Sequence, residues 1–387
     1  MSEATAILAA LREALPVQTS TIPLHEPFFD EDEIAHVTDC VKSGWVSSVG
    51  RYVTAFEEAL AGYCGVNHAM ACVNGTAALH ICLKLAGVRP ADEVLCPSLT
   101  FVATANAISY TGAIPHFVDV DAARLTLCPQ ALRIHLKSIA TTRDGGIFNR
   151  QTGARIAALV IMHTIGHPAA MDALLEVAAE FGLPVIEDAA ESLGSYYQQR
   201  HTGTFGLLSA LSFNGNKIIT TGGGGAILTQ NSALAARARH LTTTAKQPHP
   251  YDYIHDEVGY NYRLPNINAA LGVAQLKKMP RFLEAKRALV ARYQAALTTI
   301  PGVGLVTEPA DSLSNYWLIA LRVPPHLHRE VLEATHAAGI HTRPIWRPMH
   351  LLPMYVACPR APLQATEALH TSIINLPSGY KADLCVN

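Results

Sequence analysis

Between His68 and Thr229 short apolar runs alternate with longer segments of helical spacing. The runs Ala69-Met70-Ala71-Cys72-Val73, Val94-Leu95-Cys96, His116-Phe117-Val118, Ile156-Ala157-Ala158-Leu159-Val160-Ile161, Pro184-Val185-Ile186 and Ala226-Ile227-Leu228 predict strands. Strands apolar on both faces and joined by helix-length crossovers imply a largely parallel sheet covered on both sides, an α/β layer architecture. Ligands of such a sheet belong in the loops beyond the carboxyl ends of its strands.

After the polar, aromatic-rich stretch Gln247 to Arg263 the period changes. Helices are predicted at Ile267 to Leu276 and Pro280 to Leu297, a strand at Trp317 to Val323, a helix at Arg329 to Ala338 and a last helix near Leu363 to Ile373. The change divides the chain into a large domain, 1–250, with the N-terminal segment included, and a smaller α+β domain, 251–387. At the start, Ile7, Leu8, Leu11 and Leu15 have amphipathic spacing, but Glu3 and Glu13 interrupt it, which is not the pattern of a secretory signal. The four glycines Gly222 to Gly225 predict a close backbone approach or a tight turn between strands.

Composition narrows the function class. The 387 residues are 49% hydrophobic and 16% charged with a net charge of -2, which suits a folded small-molecule enzyme and lacks the basic patch that nucleic acid or a membrane surface requires. No apolar run reaches the roughly 18 residues of a membrane span. Cys40, Cys64, Cys72, Cys82, Cys96, Cys128, Cys358 and Cys385 form no C-x-x-C pair and read as reduced core residues, so a cytoplasmic location is expected. The 18 histidines include His163 and His167, which lie across a Gly-Pro-flanked loop; without H-E-x-x-H spacing, no metal is expected.

The candidate chemistry gathers at predicted strand ends. Lys217 ends Ser212-Phe213-Asn214-Gly215-Asn216-Lys217, just before the glycine run, and Glu187-Asp188 ends a buried strand. A lysine amine to bond an aldehyde and a carboxylate to hold a ring nitrogen protonated are the two demands of pyridoxal phosphate. Gly75 and Thr76, after Asn74 at the head of a helix, offer amides to a phosphate; the same residues also read as an ordinary N-cap. Phe101 stands where a ring can lie on a pyridine, or is a core phenylalanine. Asp188 reads equally as a helix N-cap, with Glu191 completing a capping arrangement, and Ser212 offers a hydroxyl to the phosphate or simply ends a strand.

Together, Asn74-Gly75-Thr76, Thr100-Phe101, Glu187-Asp188-Ala189-Ala190-Glu191 and Ser212-Phe213…Lys217 resemble the DegT/DnrJ/EryC1/StrS family of sugar aminotransferases over nearly the whole chain. Gly44-Trp45-Val46-Ser47-Ser48 and Gly259-Tyr260-Asn261-Tyr262-Arg263 are similar to family segments, and the lysine and Asn261 to Asn266 stretches look most like its LegC-type branch. The resemblance implies a pyridoxal phosphate-dependent fold type I chain, like aspartate aminotransferase, acting as a homodimer with active sites at the subunit interface. Lys217 is then the covalent anchor and proton carrier, Asp188 the ring-nitrogen partner, Phe101 the stacking residue, and Gly75, Thr76 and Ser212 the phosphate contacts. Asn261 is expected to reach the phosphate from the neighbouring subunit.

Many relatives have Gln or His where this chain has Glu191, whose carboxylate would repel the cofactor's ring phenolate unless one of them holds a proton. Trp45, Ser47, His163, Arg263, Arg343 and His350 are candidate contacts to the sugar nucleotide. The implied reaction passes an amino group from glutamate, through the pyridoxamine form, to C4 of a nucleotide-linked 4-keto-6-deoxy sugar. The expected substrate is a UDP-2-acetamido-2,6-dideoxy-4-ketohexose, on the way to a bacillosamine- or legionaminic-acid-type surface glycan. A dehydratase with the same cofactor is a rival, but that branch replaces the lysine with histidine. A C3-ketosugar aminotransferase and a catalytically silent regulatory protein are the others.

Overall fold

A computed structural model of the protein describes residues 2–15 and 21–379. Cys385 lies outside the described residues. A seven-stranded sheet runs in the spatial order His68–Cys72, Gly225–Thr229, Leu208–Ser212, Val185–Asp188, Ile156–Met162, Glu93–Pro97, Ile114–Val118. All neighbours are parallel except Gly225–Thr229, which runs against both strands beside it. The central strand Ile156–Met162 is buried at every position, as its unbroken apolar run requires. Helices Gly75–Leu85, Val102–Tyr110, Pro129–Ile139 and Met171–Glu180 are the crossovers between the strands. Every predicted strand of this sheet forms. Leu208–Ser212 forms the strand that Ser212 ends; it is absent from the apolar runs because Leu-Ser-Ala-Leu-Ser is short and neither strictly alternating nor β-branched.

The glycine run serves close approach. A Cβ on Gly225 would lie 2.5 Å from the Asn74 carbonyl carbon and 2.6 Å from Gly75 N. Gly225 pairs with Cys72 on one side and Ser212 on the other, so the one antiparallel strand of this sheet begins against the head of helix Gly75–Leu85. A Cβ on Gly75 would in turn sit 2.9 Å from Ser212 Cβ. Three segments far apart in sequence are thus held backbone to backbone at the carboxyl edge of the sheet.

A second, antiparallel sheet has the order Gly304–Leu305, Ile319–Arg322, Ile373–Leu376, Arg343–Pro344. The last predicted helix ran too far. It is Gln364–His370, and Ile373 opens a strand whose four residues are all buried in this sheet.

Packing distributes the remaining elements between two cores. Helix Glu3–Ala14 buries Ile7 and Leu11 in one cluster with Leu289, Tyr293, Ile319, Val331 and Ile374, so the N-terminal segment belongs to the smaller domain's core. Helix Asn266–Lys277 packs instead on Glu31–Ser43 and Arg51–Cys64 of the large domain, and Phe56, Ala269 and Ala270 share a cluster with Phe213 and Leu228. The change of core falls within helix Met279–Leu297, whose Met279, Phe282 and Ala285 join the large domain's cluster while Leu289, Val290 and Tyr293 join the other.

Among the described residues Cys40, Cys64, Cys72, Cys82 and Cys96 are buried, Cys128 and Cys358 are half-buried, and all seven are free. Among the described residues no helix is long and apolar enough to cross a membrane.

Gly225→Ala should cost about 1–3 kcal/mol, the range of an overpacked core, because the obstacle is backbone. Urea unfolding measures it; a midpoint equal to the parent's would show that the strand can shift without cost.

Candidate active site

A cavity of about 540 Å³ opens at the carboxyl edge of the large sheet, where the smaller domain leans over it. From the large sheet come Gly75, Thr76, Phe101, Asp188, Glu191, Ser212 and Lys217, and from the smaller domain Trp317, Arg343, Trp346 and Arg347. The cavity therefore takes in the candidate lysine, the acids, the stacking ring and the helix head together.

The strand Val185–Asp188 places two acids, and strand alternation sends them to opposite sides. Glu187 is fully buried and accepts hydrogen bonds from the amides of Gly203, Phe205 and Gly206 and from His163 Nε2 at 2.9 Å. Burial raises its pKa, but the His163 bond and these amides more than offset that, so the net shift is downward and the carboxylate is held ionised. Asp188 faces the cavity. Its Oδ2 accepts from Thr104 Oγ1 at 2.7 Å and its Oδ1 from Ala190 N at 3.2 Å. Burial pushes its pKa up against those two bonds and the Lys217 charge. The residues after it form turns rather than a helix, which removes the capping alternative for Asp188 and Glu191.

Lys217 closes a turn on Asn214 O, 3.0 Å from its own N–H. Its Nζ lies 3.2 Å from Glu191 Oε1 and 3.8 Å from the centre of the Trp317 ring. Glu191 is 3% exposed, and its second oxygen accepts from Ile165 N at 2.8 Å. Burial pushes its pKa up to about 7, with Lys217 pulling the other way. An acid that can hold a proton near neutrality thus stands beside the lysine, which lifts the objection that a fixed carboxylate must oppose a phenolate there.

At the head of helix Gly75–Leu85, Asn74 Oδ1 caps Ala77 N at 2.7 Å. The cap reading of Asn74 is correct, and it leaves the first amides, Gly75 and Thr76, without intrahelical acceptors and facing the cavity. With Ser212 beside Gly75, they form a cradle for a phosphate at the positive end of the helix dipole. Phe101, 46% exposed, stands in the wall with its ring 6.1 Å from Trp346. Amide cradle, buried acid, amine and aromatic wall fit pyridoxal phosphate.

Several candidate substrate residues lie elsewhere. Arg263 is buried against Glu57 Oε1 at 2.7 Å and the Ala71 carbonyl at 3.1 Å, so its guanidinium is a structural tie. His163 donates to Glu187 and accepts from Ala169 N, which occupies both ring nitrogens inside the core. His350 is buried with Ser98 Oγ at 2.8 Å and Glu367 at 3.4 Å. Trp45 is 60% exposed and Ser47 gives its carbonyl to Asn266 N; like the exposed Asn261, neither lines the cavity. Of those candidates only Arg343 enters the wall. Thr104, Trp317, Trp346 and Arg347 were missed. The signal was present in Trp346 and Arg347, three and four residues after Arg343, but a tryptophan before an apolar strand reads as core.

The sequence profile of the DegT/DnrJ/EryC1/StrS aminotransferase family matches residues 27–383. A GDP-perosamine synthase of Caulobacter vibrioides is 38% identical over 92% of this chain and 93% of its own length. A putative pyridoxal phosphate-dependent aminotransferase of Bacillus subtilis, EpsN, is 38% identical over 86% of this chain and 84% of its own. Among solved structures, the aminotransferase TlmJ from Streptoalloteichus hindustanus superposes with a TM-score of 0.85 at 29% identity, covering 93% of this chain and 94% of its own.

Glu191 should leave a mark on stability. A carboxyl with an ordinary value of 4.5 raised to about 7 binds a proton on folding, so the stability that this group contributes is greatest below about 4.5 and declines as pH rises from there to 7. Glu191→Gln in cofactor-free protein should gain on the parent by about 2 kcal/mol between pH 5 and pH 8. Urea midpoints across that range check it, and a difference independent of pH would contradict the raised value.

Proposed function

The chain belongs to the DegT/DnrJ/EryC1/StrS aminotransferase family and is a pyridoxal phosphate-dependent sugar aminotransferase, and we propose that it transfers an amino group from L-glutamate to C4 of a nucleotide-linked 4-keto-6-deoxyhexose. The observation that carries this reading is the meeting of Lys217, Asp188 and the Gly75–Thr76 amides around one cavity that Arg343 and Arg347 also enter. A lysine at 217, rather than histidine, favours amine transfer over removal of a hydroxyl. Two guanidiniums suit a diphosphate and equally a dicarboxylate donor. GDP is the preferred carrier, supported by the name of the Caulobacter relative, which matches over almost the full length of both chains. The LegC-like stretches favour UDP and a 2-acetamido group as the second reading.

Pyridoxal phosphate, when bound, supplies the electron sink that allows an amine to change carbon partners. The protein's residues do the rest. Asp188, fixed by Thr104 and Ala190 N, would hold the cofactor's ring nitrogen and keep its proton in place. Lys217 Nζ would hold the cofactor covalently and, once freed, would serve as the base that takes the proton from the donor's α-carbon and the acid that returns it in a 1,3-shift. Glu191, 3.2 Å away, holds a proton beside that amine and tunes the charge around it. The Gly75 and Thr76 amides and Ser212 hold the phosphate, while Phe101 and Trp346 exclude water from the face of the ring.

The working unit is proposed to be a homodimer. Trp45, Val49, Tyr251, Tyr253 and Val258 are each at least 60% exposed and supply apolar surface for a second copy. Asn261, also on the protomer surface, would complete the partner's phosphate site.

Borohydride added to the cofactor-loaded protein should fix a mass adduct on the peptide bearing Lys217, and an adduct elsewhere would remove that residue from its role. Asp188→Ala should lower turnover by about 10²-fold or more while the protein stays folded, as for loss of one preorganised electrostatic partner; unchanged turnover would sink its assignment. GDP-, UDP- and dTDP-linked 4-keto-6-deoxyhexoses, offered with glutamate, should be aminated fastest as the GDP sugar. A preference for the UDP-2-acetamido sugar would favour the second reading instead.

A further inference from the structure

Trp317 meets Lys217 in two ways. Its ring centre stands 3.8 Å from Lys217 Nζ, and its Nε1–H donates to the carbonyl of Asn216, the residue just before the lysine, at 2.6 Å. The indole therefore holds both the backbone that presents the lysine and the amine itself. Trp317 is in turn fixed from the smaller domain. Its N–H donates to Asn315 Oδ1 at 2.8 Å, and Asn315 Nδ2 donates to the carbonyls of Glu191 and Leu193, both at 2.9 Å.

Beneath it lies Lys286, 2% exposed, with no carboxylate within ion-pair distance among the described residues. Its Nζ donates to Trp317 O at 3.1 Å and Ser378 O at 2.6 Å and stands 3.2 Å from His25 Nε2. Burial pulls its pKa down to about 7. A lysine buried this deeply on carbonyl oxygens is costly, and the group it braces is the residue that covers Lys217.

We propose that Trp317 is a positioning residue for Lys217, clipping the Asn214–Lys217 turn through its indole N–H and shielding the amine with its ring, and that Lys286 braces it from below. The proposal rests on Lys217 as the cofactor anchor and is independent of which sugar is used. The ring covers the amine at cation–π distance, while the clip fixes the direction from which that amine reaches the cavity. Trp317 belongs to the smaller domain, so the two domains must be docked for the lysine to be held.

Two variants separate the halves of the contact. Trp317→Phe keeps an aromatic face and removes the N–H; Trp317→Leu removes both. In cofactor-free protein, hydrogen exchange in the peptide 213–221 should quicken by about tenfold in Trp317→Phe, the effect of losing one hydrogen bond, while the strand Ile156–Met162 keeps its rate. An amine-modifying reagent at fixed pH should label Lys217 at the parent's rate in Trp317→Phe and several-fold faster in Trp317→Leu. Lys286→Met should reproduce the quickened exchange and Lys286→Arg should restore it. Unchanged exchange in Trp317→Phe overturns the clip, and equal quickening in strand Ile156–Met162 reduces Trp317 to a general structural role. Parent-like labelling in Trp317→Leu overturns the shield; if that variant does not fold, Trp317→Met takes its place in the labelling. A borohydride adduct away from Lys217, with the turn still loosened in Trp317→Phe, would remove the anchor reading and leave the clip.

Discussion

Everything at this site depends on burying ionisable groups at the carboxyl edge of one sheet and giving each a partner. Glu187, Asp188 and Glu191 are all buried within five consecutive positions, and three unpaired carboxylates could not be held there. The fold resolves this by giving each acid a different environment. Glu187 receives three amides and a histidine, Asp188 a hydroxyl and one amide, Glu191 one amide and the lysine. Glu187 is held ionised while burial raises the pKa of the other two, and commitment to structure divides the same way: the first acid is wholly absorbed by the fold, and the other two retain capacity for a ligand.

The second dependence is on close backbone approach. Gly75 and Gly225 let a helix head, a strand end and the reversed strand meet with no side chain between them, so Ser212 and the helix amides arrive together. The smaller domain then closes the site with Trp317, Trp346 and two arginines. The cavity is accordingly built by two kinds of contact: backbone against backbone for the phosphate end, aromatic faces against charge for the reacting end.

Much of this was legible in the sequence, for physical reasons that differ between residues. The buried parallel strands announce themselves as unbroken apolar runs, and Lys217 and Asp188 stand out because charged groups at the ends of such runs need a purpose. Arg263 and His163 misled because a buried structural charge and a ligand-binding one have the same letter; only the positions of Glu57 and Glu187 distinguish them. Trp317 was invisible for the converse reason, since its value lies in which carbonyl its N–H reaches, a fact of tertiary geometry. Periodicity reports what kind of element comes next, not which core receives it.

Helix Glu3–Ala14 packs with residues beyond position 288, so the smaller domain is built from both ends of the described chain, with the large sheet inserted between them. During synthesis this helix emerges long before Leu289, Tyr293 and Ile374 exist, and its apolar stripe must wait without a partner while the sheet forms. The large domain therefore has a head start, and the smaller one is completed last by a contact of very long sequence separation, the slowest kind to close. The cavity between them is correspondingly the last part of the molecule to take shape.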